Sequence, residues 1–184
     1  YALPVALHKE GVDEKVAELL NIWSRAPRLE EWEKILERIA NPKHGELVVG
    51  TVGKYVEMRE SYRSLSEALT HAGIANDVRI RLEYVDAEDL EAQGPDLLLR
   101  GLDAILVPGG FGARGTEGKI TAIRWARTNQ VPFLGICMGM QRAAVEYARS
   151  VLGLEKATSL ECDARTPDPV IVPLDPPPNE KGMR

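Results

Sequence analysis

The apolar positions of this chain change period along its length, and each change marks an element. Val12, Val16, Leu19 and Leu20 recur at helical spacing and predict a helix over Val12–Ile22, with Asp13 and Glu14 suited to its start. Ala26-Pro27 breaks it. Leu29, Trp32, Ile35, Leu36 and Ile39 then predict a second helix whose stripe is a packing surface. It stops at Asn41-Pro42, because a residue before proline is pushed out of the helical region. From Glu46 to Val52 the pattern shortens to a buried strand carrying Leu47, Val48, Val49 and Val52. A loop over Gly53–Glu60 follows. The next helix runs from about Ser61 to Ala72 and stops at Gly73.

Strict alternation returns at Val78–Val85, where Val78, Ile80, Leu82 and Tyr84 share a face. Residues 88–100 read as helix interrupted by Gly94-Pro95. Asp103–Val107 is a third strand, closed by Pro108-Gly109-Gly110. Lys119–Thr128 is a helix with Ile120, Ile123, Trp125 and Ala126 on its apolar side. A fourth strand reaches Cys137, and a long helix then turns Met140, Ala143, Ala144, Tyr147, Ala148 and Val151 inward, ending near Gly153. Ala157–Glu161 is one more strand or loop. Arg165–Pro178 holds six prolines and is expected to be irregular. Strands alternating with helices at this spacing imply an α/β fold: a mostly parallel open sheet with helices on both faces, preceded by two linker helices. On such sheets ligands sit at the carboxyl ends of the strands. The loops after Val52, after Val107 and at Cys137 share that edge.

Composition narrows the classes without choosing among them. In 184 residues, 44% are hydrophobic and 28% charged, which is ordinary for one globular domain with an appendage. A net charge of −5 gives no electrostatic case for nucleic acid or an anionic membrane. No apolar run has the length of a membrane-spanning helix, and Tyr1-Ala2-Leu3-Pro4 carries no signal-peptide pattern. The chain lacks an initiator Met and is expected to begin inside a longer protein. Its two cysteines, Cys137 and Cys162, have no zinc or redox-pair spacing, so a reducing cytoplasm is the expected compartment and no metal site is expected.

The chemistry gathers at Leu134-Gly135-Ile136-Cys137-Met138-Gly139-Met140-Gln141. This is G-x-C-x-G between a strand and a helix, with sulfur where hydrolases of the G-x-S-x-G type carry oxygen. The glycines answer a turn too sharp for side chains. Backbone N–H groups at the helix start favour a thiolate, which attacks carbonyl carbon and forms an acyl-enzyme. A buried structural cysteine would not need the two glycines. Upstream, Gly110-x-Gly112-x-x-Gly115 invites a dinucleotide reading, yet the following strand ends in Ile136-Cys137, with no acid to hold a ribose. The same turn can direct backbone N–H groups at the sulfur and, with the Met138 N–H, form an oxyanion hole. A P-loop would need glycine where Val48 stands and Ser or Thr where Tyr55 stands. Glu161 alone reads as surface charge, and Cys162 as structural.

A thiolate nucleophile needs a base. The three histidines, His8, His44 and His71, all precede Cys137, whereas an elbow of this type places its histidine downstream. His71 reads as a helix-end surface residue. The base is expected to lie outside the chain.

These residues resemble the class I (triad) glutamine amidotransferase family: Ile105-Leu106-Val107-Pro108-Gly109-Gly110-Phe111-Gly112 followed by Leu134–Gln141. Gly53-Lys54-Tyr55-Val56-Glu57, Gly112–Lys119 and Trp32-Glu33 with Asn41-Pro42-Lys43-His44 are similar to its CTP synthase branch, over roughly Val5 to Glu161. The resemblance implies a flavodoxin-like amidotransferase domain over 45–184, incomplete at its C-terminus. Residues 1–44 would then be the end of a synthetase domain plus linker. It implies that Cys137 is the nucleophile, that Gly110, Phe111 and Met138 form the oxyanion hole, and that Gly110, Met138, Gly139, Met140, Gln141 and Glu161 hold L-glutamine. Ammonia from glutamine would pass to the synthetase domain, which converts UTP to CTP with ATP and Mg2+ under GTP activation, in a homo-tetramer. The family's His and Glu partners match nothing here. From the residues alone, a nucleotide-binding module built on Gly110–Gly115 and a catalytically silent docking module built on the Trp32 stripe remain open.

Overall fold

The computed structural model describes residues 1–23, 25–54, 59–110, 112 and 114–174. Tyr55–Met58 of the first loop, Phe111 of the glycine turn and the proline-rich 175–184 lie outside the described residues. By packing, the chain divides into two compact units: 1–47 with 63–81, and 48–62 with 82 onward.

The first unit is mostly helical. Its helices are α1 (Leu3–Lys9), α2 (Val12–Leu19), α3 (Glu30–Ala40) and α4 (Arg63–Ala75). Three helices therefore precede the sheet, where two were expected. Helix α1 escaped the pattern reading because it buries only Val5, while Pro4 sits in its first turn, where a missing N–H costs nothing. Helix α4 does not stop at Gly73. It runs on to Ala75, and Gly73 is buried inside it. A Cβ there would stand 2.7 Å from the Val78 carbonyl oxygen. The glycine thus serves the close approach of the returning chain. The reversal itself falls at Asp77, whose φ is +57°.

Four strands form the sheet: β1 (Glu46–Gly53), β2 (Arg79–Asp86), β3 (Ala104–Val107) and β4 (Phe133–Gly135), in the order β2-β1-β3-β4. β3 runs parallel to both neighbours, with Gly50 opposite Ile105 and Leu106 opposite Leu134. Strand β2 alternates as expected through Ile80, Leu82 and Tyr84, which are only half-buried. At its end Val85, on the other face, is the buried residue. Around the sheet lie α5 (Ala87–Gln93), α6 (Pro95–Leu99), α7 (Thr116–Thr128) and α8 (Met138–Ser150). Val52, Val85, Leu90, Leu99, Ile105, Val107, Ile123 and Ala126 make the core of this unit. Among the described residues no helix is long and apolar enough to cross a membrane.

Two further expectations are corrected. The inward face of α8 is not Met140, Ala144, Tyr147 and Val151, which are exposed. It is Met138, Gly139, Arg142, Val145, Glu146 and Ala148. Counting only apolar residues displaced the stripe, because two of the buried positions are charged. After α8, a short parallel pair forms from β5 (Thr158–Ser159) and β6 (Pro169–Ile171), so the segment from Arg165 is not wholly irregular. Pro169 opens β6, a position where a missing N–H is tolerated. The Leu160 N–H donates to Ile171 O at 3.0 Å.

Candidate active site

The sheet order puts β1, β3 and β4 side by side and parallel, so the loops at their carboxyl ends share one edge. Cys137 stands there as the N-cap of α8, with φ +53° and ψ −108°. This region is glycine territory, and a side chain held in it stores about 1–3 kcal/mol of strain. The surroundings enforce it. The Ile136 N–H donates to Val107 O at 3.0 Å, the Gly139 N–H to Ile136 O at 2.9 Å, and the Gln141 N–H to Cys137 O at 3.1 Å.

The flanking glycines have steric reasons. A Cβ on Gly139 would overlap the Val107 carbonyl oxygen, and one on Gly135 would stand 2.7 Å from Gly139 C and Met140 N. Strand and helix therefore touch through bare backbone. The thiol of Cys137 is exposed. A Cβ on Gly109 would lie 3.4 Å from Cys137 Cβ and 3.9 Å from its Sγ, so the turn after β3 faces the sulfur directly.

Around that sulfur, Met138 is buried, and among the described residues nothing accepts its backbone N–H. Gly110 has φ +148° and Gly112 has φ +89°. The Gly112 N–H donates to Glu161 Oε1 at 3.3 Å, which ties the glycine turn to the segment after β5. Glu161 also lines a cavity of about 410 Å³ with Gln141, Ser159, Leu160, Ile171, Val172 and Pro173. Gln141 Oε1 and Ser159 Oγ are buried without a hydrogen-bond partner among the described residues. Both residues line that cavity, so these atoms are open to a polar ligand or an ordered water.

The structure thus joins Cys137 with Gly109, Gly112 with Glu161, and Glu161 with Gln141, while Cys137, Gly110 and Met138 do not line that cavity. Gly139 lies beneath the elbow, packed on Val107, and contributes no side chain. Met140 is 60% exposed and does not line the cavity. Gly115 and Gly118 have packing reasons of their own: a Cβ on Gly115 would stand 2.9 Å from Ala87 Cβ, and one on Gly118 would overlap the Ala87 carbonyl. Those contacts account for the late glycines without a dinucleotide.

Pattern reading missed three charged residues. Lys119 of α7 is 2% exposed, and Arg142 of α8 is fully buried. Burial first, then repulsion from Lys54 and Arg142, lowers Lys119 to about 8. Arg142 Nη2 donates to Cys162 Sγ at 3.1 Å, while its Nε and Nη1 find no partner among the described residues. Buried Glu146 accepts from Arg127 at 2.8 and 3.0 Å. The signal was available at Arg142 and Glu146, which extend the face set by Met138 and Val145 at helical spacing.

No histidine occurs in the unit that carries Cys137. His8, His44 and His71 all belong to the other unit. There His8 Nδ1 lies 2.8 Å from Asp13, and His71 sits edge-on to Tyr1 with ring centroids 5.8 Å apart. Among the described residues no group of three or more His, Cys, Asp and Glu side chains could hold a metal ion.

Comparison with known proteins matches the same region. The family model described as "Glutamine amidotransferase class-I" matches residues 57–169. A CTP synthase of Geotalea uraniireducens is 57% identical over 171 residues, which are 93% of this chain and 32% of that relative. A CTP synthase of Geobacter metallireducens is 58% identical over the same shares. The chain therefore spans 32% of the length of these curated relatives. Among solved structures, the glutaminase domain of Trypanosoma brucei CTPS with bound acivicin is similar at a TM-score of 0.66 and 38% identity, covering 70% of this chain and 50% of that one.

Proposed function

The chain belongs to the class I glutamine amidotransferase family, and on that premise we propose that it hydrolyses glutamine to glutamate and ammonia as the glutaminase part of a CTP synthase. The observation that carries the reading is the strained cysteine at the start of α8, bare of side chains on the Gly109 side. Strain of this kind persists only where surrounding structure enforces it, and it is concentrated at reacting groups.

In this reading Cys137 Sγ attacks the side-chain amide carbon of glutamine. The carbonyl oxygen becomes an oxyanion, held by the Met138 and Gly110 N–H groups. The C–N bond breaks, ammonia leaves with a proton from the base, and a thioester remains. Water then cleaves the thioester and returns the thiol. Gln141 and Glu161, facing the cavity of about 410 Å³, orient the substrate. The Glu161 carboxylate, held on the glycine turn by Gly112, suits an ammonium group. The base comes from outside the unit that carries Cys137, which contains no histidine. A synthetase domain uses the ammonia to make CTP from UTP, with ATP and Mg2+ bound on that domain, GTP as activator and the whole enzyme a tetramer. The CTP synthase identity of the relatives supports this pairing.

Ammonia release from glutamine, measured in the full-length polypeptide that supplies the base and in its Cys137→Ala variant, tests the reading. Loss of release in the variant is the expected result. Release that survives in Cys137→Ala overturns it, as does tight calorimetric binding of NAD that Gly112→Val abolishes.

A further inference from the structure

We propose that Lys119 is a positioning residue for the oxyanion turn: its buried side chain, beneath Gly110, supplies a fixed positive charge to the oxyanion that forms when Cys137 attacks. This rests on the glutaminase reading. A Cβ on Gly110 would stand 3.9 Å from Lys119 Nζ, so the ammonium lies directly under the backbone that donates to the oxyanion. Lys119 belongs to α7, whose N-terminal end follows the glycine turn, and it is 2% exposed. Among the described residues no carboxylate pairs with it.

A buried cation without an anion is costly to keep. The cost is accepted where a negative charge arrives during the reaction. Because Lys119 itself is shielded from water, its charge, one layer behind the hydrogen-bond donors, still acts on charge that develops in the transition state. Lys54 reinforces this: a Cβ on Gly112 would stand 3.5 Å from Lys54 Nζ, so the turn from Gly110 to Gly112 has an ammonium at each glycine. Other charges lie near the turn: buried Arg142 adds positive charge beside Lys119, Glu88 pairs with Arg114 within reach of Lys54, and Glu161 accepts from the Gly112 N–H and faces the cavity. Lys119 acts through the Gly110 backbone.

The test uses L-glutamic acid γ-(p-nitroanilide), whose acylation of Cys137 is read as a burst of p-nitroaniline, in the protein, in Lys119→Met and in Lys119→Gln. Alkylation by iodoacetamide is measured alongside, because displacement at saturated carbon forms no oxyanion. The expected result is a burst rate about tenfold lower in both variants. The half-saturating concentration and the iodoacetamide rate should stay within about twofold of the unsubstituted protein. An unchanged burst rate overturns the proposal, and so does an iodoacetamide rate that falls in step with the burst. The measurement is made on the full-length polypeptide, which carries the base; if that protein gives no burst, the glutaminase reading itself fails and the proposal falls with it.

Discussion

The β carbon of Cys137 stands 3.4 Å from the point where a side chain on Gly109 would begin, so the turn after β3 and the elbow after β4 meet at the Cys137 sulfur with only backbone on one side. Gly109→Ala places a methyl group there at a separation the neighbour can absorb. The variant should fold with a loss of less than about 1 kcal/mol. Its reaction with a glutamine-like electrophile should slow by about tenfold, because the carbonyl can no longer approach at the same angle. Thermal melting and adduct kinetics measure the two separately.

Cys137→Gly should stabilise the fold while removing the chemistry. Glycine adopts φ +53° and ψ −108° without a Cβ clash. Relief of that strain, reduced by glycine's greater freedom in the unfolded chain, leaves a net gain of about 1 kcal/mol. Cys137→Ala keeps the Cβ and should gain nothing. Urea midpoints for the two variants, compared at equal slope, decide the point.

Gly139→Ala tests the other side of the elbow. Its Cβ would overlap the Val107 carbonyl, so β3 and α8 must separate. The expected loss is about 1–3 kcal/mol, the range for overpacked sites. A variant as stable as the parent would contradict the bare-backbone contact.

Glu146 carries a pH dependence. Burial alone would push its carboxyl up, but the hydrogen bonds from Arg127 and the charges of Arg127 and Arg124 outweigh it and hold the group below its ordinary 4.5. The folded state therefore binds that proton less readily than the unfolded chain. The stability it contributes is fully present above 4.5 and is lost as pH falls through the lower folded value. Glu146→Gln should cost about 1.5 kcal/mol at neutral pH, because the half-exposed Arg127 keeps its water and loses only charge-assisted bonds, and should flatten the acid limb of the stability curve. Denaturant titrations from neutral pH down to about pH 3 would show both effects.

The sheet, its order of strands and helices, and the elbow were legible because period-2 and helical patterns are separated by clear breakers. A cysteine set between two glycines where a strand gives way to a helix also has few uses besides a sharp turn that presents its sulfur. The inward face of α8 was not legible. Arg142 and Glu146 are buried, and a rule that sends charges outward rotates the helix away from its true face. Gly73 misled for a related reason: a glycine that relieves a clash with Val78 looks the same in sequence as one that ends a helix. Helix α1 buries a single side chain and leaves no periodic trace. Of the proposed site, Cys137, Gly110 and Gln141 could be named from spacing and resemblance. Gly109 and Lys119 could not, since the roles proposed for them arise only when β3, α7 and the elbow are brought side by side.

The most direct test of the central claim is the site of attack by a glutamine-mimicking electrophile. The protein is incubated with acivicin, digested, and the adduct located by tandem mass spectrometry. One adduct per chain on Cys137, abolished by excess L-glutamine, is the predicted result. Labelling of Cys162, or labelling of Cys137 that glutamine does not protect, would contradict a glutamine site at the elbow.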